Sequence, residues 1–241
     1  MKHKAITLIE ALIISVIVAV VTLSTIDIIS KMFVAENTFN EDITSQENKT
    51  AVTEKIITAM MPGSYLYRVN TPLIIPTKIG NTEVYVGTQT VAVLCPEFAS
   101  DGSLIMPTTG TTTFTGTAFS IIPETTWNGG KSGKYVLIQT ILNDQSLNLA
   151  VDPNDTLKIN IDPPTNWSQG KSFIIATNLK PGQFSNLTNV FTLNSQRNSL
   201  QFAFVPTASG LYFPSPNSSQ PIDDSKFISS VNLRNWRETT Y

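Results

Sequence analysis

The chain opens with a long apolar run, and the pattern changes after it. Residues 6–26 are apolar apart from a few hydroxyl side chains, and Glu10 is the one charged residue among them. As a helix rising about 1.5 Å per residue, this run would reach roughly 30 Å, the thickness of the hydrocarbon core of a bilayer. The pattern predicts a membrane-spanning helix that carries an acid near its start.

The next segment, residues 27–61, predicts a continuation of the same helix. It contains neither glycine nor proline, and its apolar residues fall on a loosely helical spacing. The pair Pro62-Gly63 should end the helix. Thr38 and Glu41 have the spacing of a capping box, so a break into two helices near residue 38 is an alternative.

From Ser64 onward the chain has the pattern of a β-rich domain. Short runs of β-branched and aromatic residues alternate with glycine, proline, asparagine, aspartate and serine. The pattern predicts an α+β fold in which an antiparallel sheet or sandwich packs against the end of the long helix. Residues 206–221, rich in serine and proline, predict a long surface loop. The predicted strands are 83–94, 114–122, 134–142, 157–161, 172–176, 190–193, 200–205 and 227–233.

The composition excludes several kinds of partner and catalytic site. The formal net charge is -2 and no basic stripe is present, so no nucleic-acid partner is expected. Cys95 is the one cysteine, which excludes an intramolecular disulfide, and it is predicted to be a small buried hydrophobe at a strand end. The one histidine is His3, so a chain cut after residue 5 would lack Ser-His pairs, Cys-His pairs and His-ligated zinc sites.

The sequence lacks the common catalytic and cofactor-binding motifs, and it therefore predicts neither an enzyme nor a cofactor. The sequence contains no G-x-S-x-G, no Walker loop, no C-x-x-C and no G-x-G-x-x-G. Asp152 and Asp155 are weak calcium candidates because oxygen ligands cluster there, but they lack EF-hand spacing, and a turn is the preferred interpretation. Trp127, Trp167 and Trp236 could form a ligand platform, although large aromatic residues in a β-domain more often belong to the core.

The residues that flank the apolar run indicate a membrane anchor of a particular kind. Lys2 and Lys4 precede the run and predict a cytoplasmic N-terminus. A secretory signal peptide would have a shorter apolar region followed by a small-residue cleavage site, and none is clear here. An acid near the middle of a spanning helix costs about 2.5 to 3.5 kcal/mol, and less close to the interface, so Glu10 predicts a partner group.

Residues 4–10, KAITLIE, followed by ALII, resemble the N-terminus of type IV pilins and type II secretion pseudopilins. That family has a basic leader, then Gly, Phe-Thr-Leu-Ile-Glu and an apolar helix. In this chain Ala5 stands in place of the usual glycine and Ile6 in place of the usual phenylalanine. The helix-breaking proline of major pilins is also missing, since no proline occurs before Pro62. The missing proline favours a minor pilin or a pseudopilin.

The resemblance implies a processing pathway and a set of partners. Residues 1–5 would be a leader that a prepilin peptidase removes by cutting between Ala5 and Ile6, and the new amino group of Ile6 would be methylated. Glu10 would then pair with the N-terminal ammonium of a neighbouring subunit, which offsets the desolvation of its charge. The implied partners are other pilin or pseudopilin subunits, the inner-membrane assembly platform and membrane lipid.

The resemblance also implies a place in the cell. Residues 6–61 would be the transmembrane and amphipathic helix, and residues 62–241 a pilin-like β-rich domain in the periplasm. The chain would wait in the bacterial inner membrane and then enter a filament in the periplasm or at the cell surface. The alternative function is a membrane-anchored β-domain that binds a ligand or acts as a carboxylate-based hydrolase.

Overall fold

A computed structural model describes residues 8–97, 100–101, 110–152, 155–160, 163–194, 199–223 and 227–233. For residues 8, 110–112, 144–152, 155–160 and 194 only the backbone is described. The helices are α1 Leu8–Met60 and α2 Glu124–Asn128. The strands are β1 Tyr65–Leu66, β2 Pro72–Thr77, β3 Gly80–Tyr85, β4 Thr90–Pro96, β5 Gly110–Pro123, β6 Tyr135–Asp152, β7 Asp155–Asn160, β8 Lys171–Gly182, β9 Phe191–Asn194, β10 Ser199–Ala203, β11 Val205–Thr207, β12 Gly210–Pro214 and β13 Ile228–Asn232.

The first helix is continuous, and the alternative break near residue 38 is wrong. α1 has 53 residues, which corresponds to about 80 Å at 1.5 Å per residue. The Thr38 hydroxyl donates to Val34 O at 2.9 Å, a bond to the preceding turn of the helix and not a capping bond. The helix ends at Met60, just before the predicted stop at Pro62-Gly63. A Cβ on Gly63 would overlap the Val93 side chain, so this position needs glycine for close packing.

The predicted order of a long helix followed by a β-rich domain is confirmed, but the sheet is mixed. The largest sheet has the strand order β1-β4-β5-β6-β8-β12-β11, and β7 pairs with β6 off this path. Most neighbours are antiparallel, whereas β12 runs parallel to β8, with Tyr212 opposite Lys180. The purely antiparallel prediction is therefore wrong at this pairing. Smaller sheets are formed by β13-β10-β9 and by the hairpin β2-β3.

Two hydrophobic clusters cover opposite faces of the central strands. In β4, Val91 and Val93 belong to one cluster and Ala92 and Leu94 to the other. Such alternation places successive side chains on the two faces of the sheet. The first cluster includes the end of α1 and residues of the β13-β10-β9 sheet, and the second includes the hairpin β2-β3 and Trp167. The sheet is thus buried on both sides, which explains why the whole of β4 is buried.

The end of α1 packs on the domain through one helical face. Val52, Ile56 and Met60 are fully buried, and their spacing of four residues places them on one side of the helix. Ser45 is also buried, and its hydroxyl donates to Gly210 O at 2.9 Å. We call residues 45–60 the packed half of α1 and residues 9–44 its exposed half, because every residue from 9 to 44 is exposed.

Several strand predictions need correction. The predicted strand 83–94 is two strands, because the chain turns at Gly87, whose φ of 144° belongs to the region that favours glycine. β12 lies inside the predicted loop 206–221 and buries Leu211 and Phe213. β2 was not predicted because Pro72 and Pro76 are unfavourable in central strands; it pairs with β3 in a separate hairpin.

The expected positions of the large and sulfur-bearing side chains are confirmed where they are described. Trp127 is 3% exposed and Trp167 is fully buried, so both are core residues and do not form a surface platform. Trp236 and His3 lie outside the described residues. Cys95 is buried near the end of β4, and its Sγ lies 3.8 Å from Ala59 O of α1.

Candidate functional site

The exposed half of α1 is the most unusual surface of the molecule. It contains a segment that is long and apolar enough to cross a membrane, as judged by length and composition. The large apolar side chains there are at least 41% exposed. Soluble domains rarely expose a continuous apolar area of this extent. The large apolar residues with the greatest exposure in this half are Ile9, Leu12, Leu23, Met32, Phe33, Val34 and Phe39.

The hydroxyl side chains in this apolar segment bond to the helix itself. Ser15 Oγ donates to Leu12 O at 2.8 Å, and Thr22 Oγ1 donates to Val18 O at 2.7 Å. Thr25 Oγ1 makes the same kind of bond to Val21 O at 2.8 Å. A polar group in lipid has to find its partner inside the protein, because water is absent. These bonds make the hydroxyls compatible with an apolar environment.

Glu10 lies in the first turn of α1, and its side chain is exposed. The amino end of a helix carries a partial positive charge, which favours a carboxylate at this position. The next acid along the helix is Asp27, which pairs with Lys31 at 2.7 Å on an exposed part of the helix. The predicted leader charges Lys2 and Lys4 and the predicted processing residues Ala5 and Ile6 lie outside the described residues.

The weak calcium candidates lie at the turn between β6 and β7. Asp152 and Asp155 are opposite each other in the backbone register, as expected for a turn between two strands. Their side chains are not described, and residues 153–154 lie outside the described part of the chain. Within the described residues, no three His, Cys, Asp or Glu side chains are grouped so that they could hold a metal ion.

Three described side chains have shifted pKa values, and they lie on different parts of the fold. Burial raises the pKa of the Cys95 thiol to about 12, so the thiol is protonated at neutral pH and is a poor nucleophile. Partial burial lowers the pKa of Lys49, whose ammonium lies 4.5 Å from the centre of the Phe227 ring. A hydrogen bond to Glu83 raises the pKa of Tyr85, which is on the surface of the β2-β3 hairpin. These three groups lie on different elements and do not form one site.

A groove lies between α1 and β8. It has a volume of about 920 Å³ and is open to solvent. One wall is α1, with Asn40, Glu41, Thr44, Ser45 and Asn48, and the other is β8 with residues 174–178. The turn 208–211 closes one end, next to Lys134 and Lys180. We call this surface the α1–β8 groove.

The lysines at the closed end are held by neutral acceptors. Lys180 Nζ donates to Ser209 O at 2.7 Å and lies 5.6 Å from the centre of the Tyr212 ring. Lys134 Nζ donates to Asn178 Oδ1 at 2.8 Å. Glu41, on the helix wall, is the acid among the lining residues. The strand side of the groove therefore carries positive charge without an acidic partner in these bonds.

Sequence reasoning did not predict the α1–β8 groove. Its closed end depends on β12, which was predicted to be loop, and on the contact between Ser45 and Gly210, which are far apart in the chain. A signal for β12 is present in Gly210–Pro214, where Leu211 and Phe213 alternate with Tyr212. No local signal connects Lys134 with Lys180.

Comparisons of the chain with protein-family models, with curated proteins and with solved structures found no significant match.

Proposed function

We propose that this chain is a structural subunit, a minor pilin or a pseudopilin, of a type IV pilus-like or type II secretion filament. The observation that carries the proposal is the exposed half of α1, whose side chains are exposed from residue 9 to residue 44. This surface adds nothing to the core of the domain. Apolar surface of this extent is stable only in lipid or against other apolar surface.

A filament subunit uses both environments in turn. Before assembly, the apolar part of the exposed half lies in the inner membrane, and the hydroxyls bonded to the helix fit that environment. After assembly, the same surface packs against the helices of neighbouring subunits. An anchored β-domain would need only the first of these environments.

Under this proposal Glu10 takes part in filament assembly. The prepilin peptidase removes residues 1–5 by cutting between Ala5 and Ile6, and the methylated amino group of Ile6 is the new N-terminus. The carboxylate of Glu10 pairs with the N-terminal ammonium of a neighbouring subunit. A close opposite charge in a low dielectric favours the ionised carboxylate, which would otherwise be costly to bury.

The first test is the intact mass of the protein isolated from its own cell membranes. We expect loss of residues 1–5 and the addition of one methyl group, and we expect an uncut chain in a strain without the prepilin peptidase. An uncut, unmethylated chain in the normal strain would overturn the proposal. It would favour the anchored β-domain that binds a ligand or hydrolyses one with carboxylates.

The second test separates assembly from anchoring. Glu10→Ala should leave membrane insertion and leader removal intact but abolish incorporation into filaments, as measured by the amount of subunit in sheared filaments. Asp27→Ala is the matched control, because it removes an acid from the same exposed half where an exposed ion pair contributes little. Normal incorporation of Glu10→Ala, or equal loss in both variants, would contradict the pairing.

A further inference from the structure

Four apolar residues of α1 lie beyond the membrane-spanning run and share one side of the helix. They follow one another at intervals of four, three and four residues, which is the spacing of a coiled-coil seam. All four are exposed, and the three large side chains are between 58% and 66% exposed. In a single anchored chain, water would surround this part of the helix, so the apolar surface calls for an apolar partner. We call Ile28, Met32, Ala35 and Phe39 the α1 seam.

The α1 seam faces away from the β-rich domain of its own chain. At 3.6 residues per turn, each residue of a helix is rotated by about 100° from the one before it. The five helix residues that line the α1–β8 groove are therefore centred almost opposite the seam. The buried residues of the packed half are centred about 100° away from it. A second helix can thus approach along the seam without meeting the domain.

The membrane anchor determines how two copies of the chain would meet. Lys2 and Lys4 predict a cytoplasmic N-terminus for every copy, so two α1 helices in one membrane run parallel. The apolar run sets the depth of each helix in the bilayer, because its length matches the hydrocarbon core. Equal residues of two copies therefore lie at the same height. In a parallel pair without stagger, each seam residue meets its own counterpart.

The charges beside the α1 seam favour a second copy in this register. Two flanking positions of a parallel coiled coil face each other across the pair, one just before a seam residue and one just after the next seam residue. Lys31 directly precedes Met32, and Glu36 directly follows Ala35. Lys31 pairs with Asp27 at 2.7 Å in its own helix but is 75% exposed, so its ammonium can also reach Glu36 of a second copy. Two-fold symmetry forms this pair twice.

The seam has a defined end on one side and continues into the membrane on the other. The next position after Phe39 is Asp42, whose carboxylate would meet a like charge, so the contact ends there. Toward the amino end the same spacing runs through Thr25, Val21 and Val18. The Thr25 hydroxyl is bonded to Val21 O of its own helix, so it brings no unpaired polar group into a helix contact in lipid.

We propose that two copies of this chain form a parallel dimer in the membrane, in which the α1 seams face each other and Lys31 of each copy pairs with Glu36 of the other. The inference rests on the membrane anchoring that the proposed function includes, and it adds a dimeric form of the subunit outside the filament. A two-fold contact between equal surfaces is closed, whereas a filament grows through contacts between unequal surfaces. The dimer contact therefore differs from the contacts that would extend a filament.

A single engineered cysteine tests the register directly, because a disulfide between two copies forms only where a residue meets its counterpart. The full chain is oxidised mildly in membranes of a strain that cannot assemble filaments. Met32→Cys should give about tenfold more disulfide-linked dimer than Asn37→Cys, which lies exposed on the opposite side of α1. The unaltered chain, whose Cys95 is buried, gives the background.

The charges provide a second test on the Met32→Cys chain. Glu36→Lys should lower the amount of linked dimer about fivefold, because Lys31 of each copy then faces a lysine of the other. Adding Lys31→Glu to that variant should restore most of the dimer. Glu41→Lys is the matched control, since it makes the same charge change on the side of the groove and should leave the dimer unchanged.

Three results would overturn the dimer. They are equal linking of Met32→Cys and Asn37→Cys, linking of Met32→Cys only to another protein, and a chain that stays monomeric. The mass of the same samples separates this inference from the proposed function. A chain that is cut after Ala5 and methylated but stays monomeric contradicts the dimer alone. An uncut chain that still links through Met32→Cys supports the dimer and contradicts the filament subunit.

Discussion

The two halves of α1 belong to one continuous helix but have different surroundings. The exposed half is rich in isoleucine, valine and leucine, and its side chains are exposed throughout. The packed half is largely polar, yet Val52, Ile56 and Met60 are fully buried, and even Ser45 is buried. Hydropathy along the chain therefore does not tell which half joins the core. The more apolar half is the one whose surface is stable only in lipid or against another apolar surface.

The largest effect on stability is expected from a substitution that weakens the contact between the packed half and the domain. Ile56→Ala should lower the free energy of unfolding by about 3 kcal/mol, because it leaves a cavity among fully buried neighbours. Ile17→Ala removes the same atoms from the exposed half, where Ile17 is 57% exposed, and should change stability by less than about 0.5 kcal/mol. Urea unfolding of the full chain in micelles, followed by tryptophan fluorescence, measures both. Equal effects in the two halves would contradict the division.

A smaller effect is expected at the end of the packed half. Gly63→Ala should lower the free energy of unfolding by about 2 kcal/mol, since the new methyl group overlaps Val93 and approaches Met60 O at 3.0 Å. Gly130→Ala is the control, because a methyl group there meets side-chain atoms of Asn128 and Glu124 on an exposed turn, which can move. The same urea titration should show little change for Gly130→Ala. A neutral Gly63→Ala would mean that α1 can shift away from β4.

The third expected effect is a pH dependence at the same contact, and at pH 10.5 it reaches about 2 kcal/mol, no more than the effect of Gly63→Ala. Cys95 lies against Ala59 of the packed half, and its folded pKa is about 12, compared with an ordinary value of 9.0. Above pH 9 the unfolded chain loses the thiol proton while the folded chain keeps it. The stability contributed by the neutral buried thiol is therefore fully present below pH 9 and is lost as pH rises toward 12, by about 1.4 kcal/mol per pH unit.

Cys95→Ser provides the comparison, since a serine hydroxyl does not ionise in this range. The difference between the unfolding free energies of the two proteins should decrease from pH 8 to pH 10.5. Its slope against pH should be roughly the one that the release of one proton gives. Other groups that titrate in this range affect both proteins alike and cancel in the difference. A constant difference across the range would show that the thiol is accessible to water.

Much of the architecture could be predicted because it depends on local pattern. The long helix follows from the absence of glycine and proline before Pro62, and most strands follow from runs of β-branched and aromatic residues. The prediction was wrong where local signals conflict with tertiary contacts. The capping-box spacing at Thr38 and Glu41 does not break the helix, because an uninterrupted helix satisfies the same backbone groups.

The candidate sites also differ in whether the sequence alone reveals them. The apolar segment and Glu10 are visible in the sequence, since hydropathy and charge are properties of consecutive residues. The α1–β8 groove is not visible, because it depends on a parallel pairing between β8 and β12 and on a contact between Ser45 and Gly210. Parallel pairing has no local turn signal of the kind that marks a hairpin.

The sequence by itself determined that this protein has a helix able to cross a membrane, an acid in its apolar segment and a β-rich domain after it. The tertiary structure alone decided where the helix stops being exposed and which lysines line the α1–β8 groove. The physical reason is the distance along the chain over which each kind of signal acts. Periodicity and propensity act over neighbouring residues, whereas burial and strand order depend on which distant segments meet.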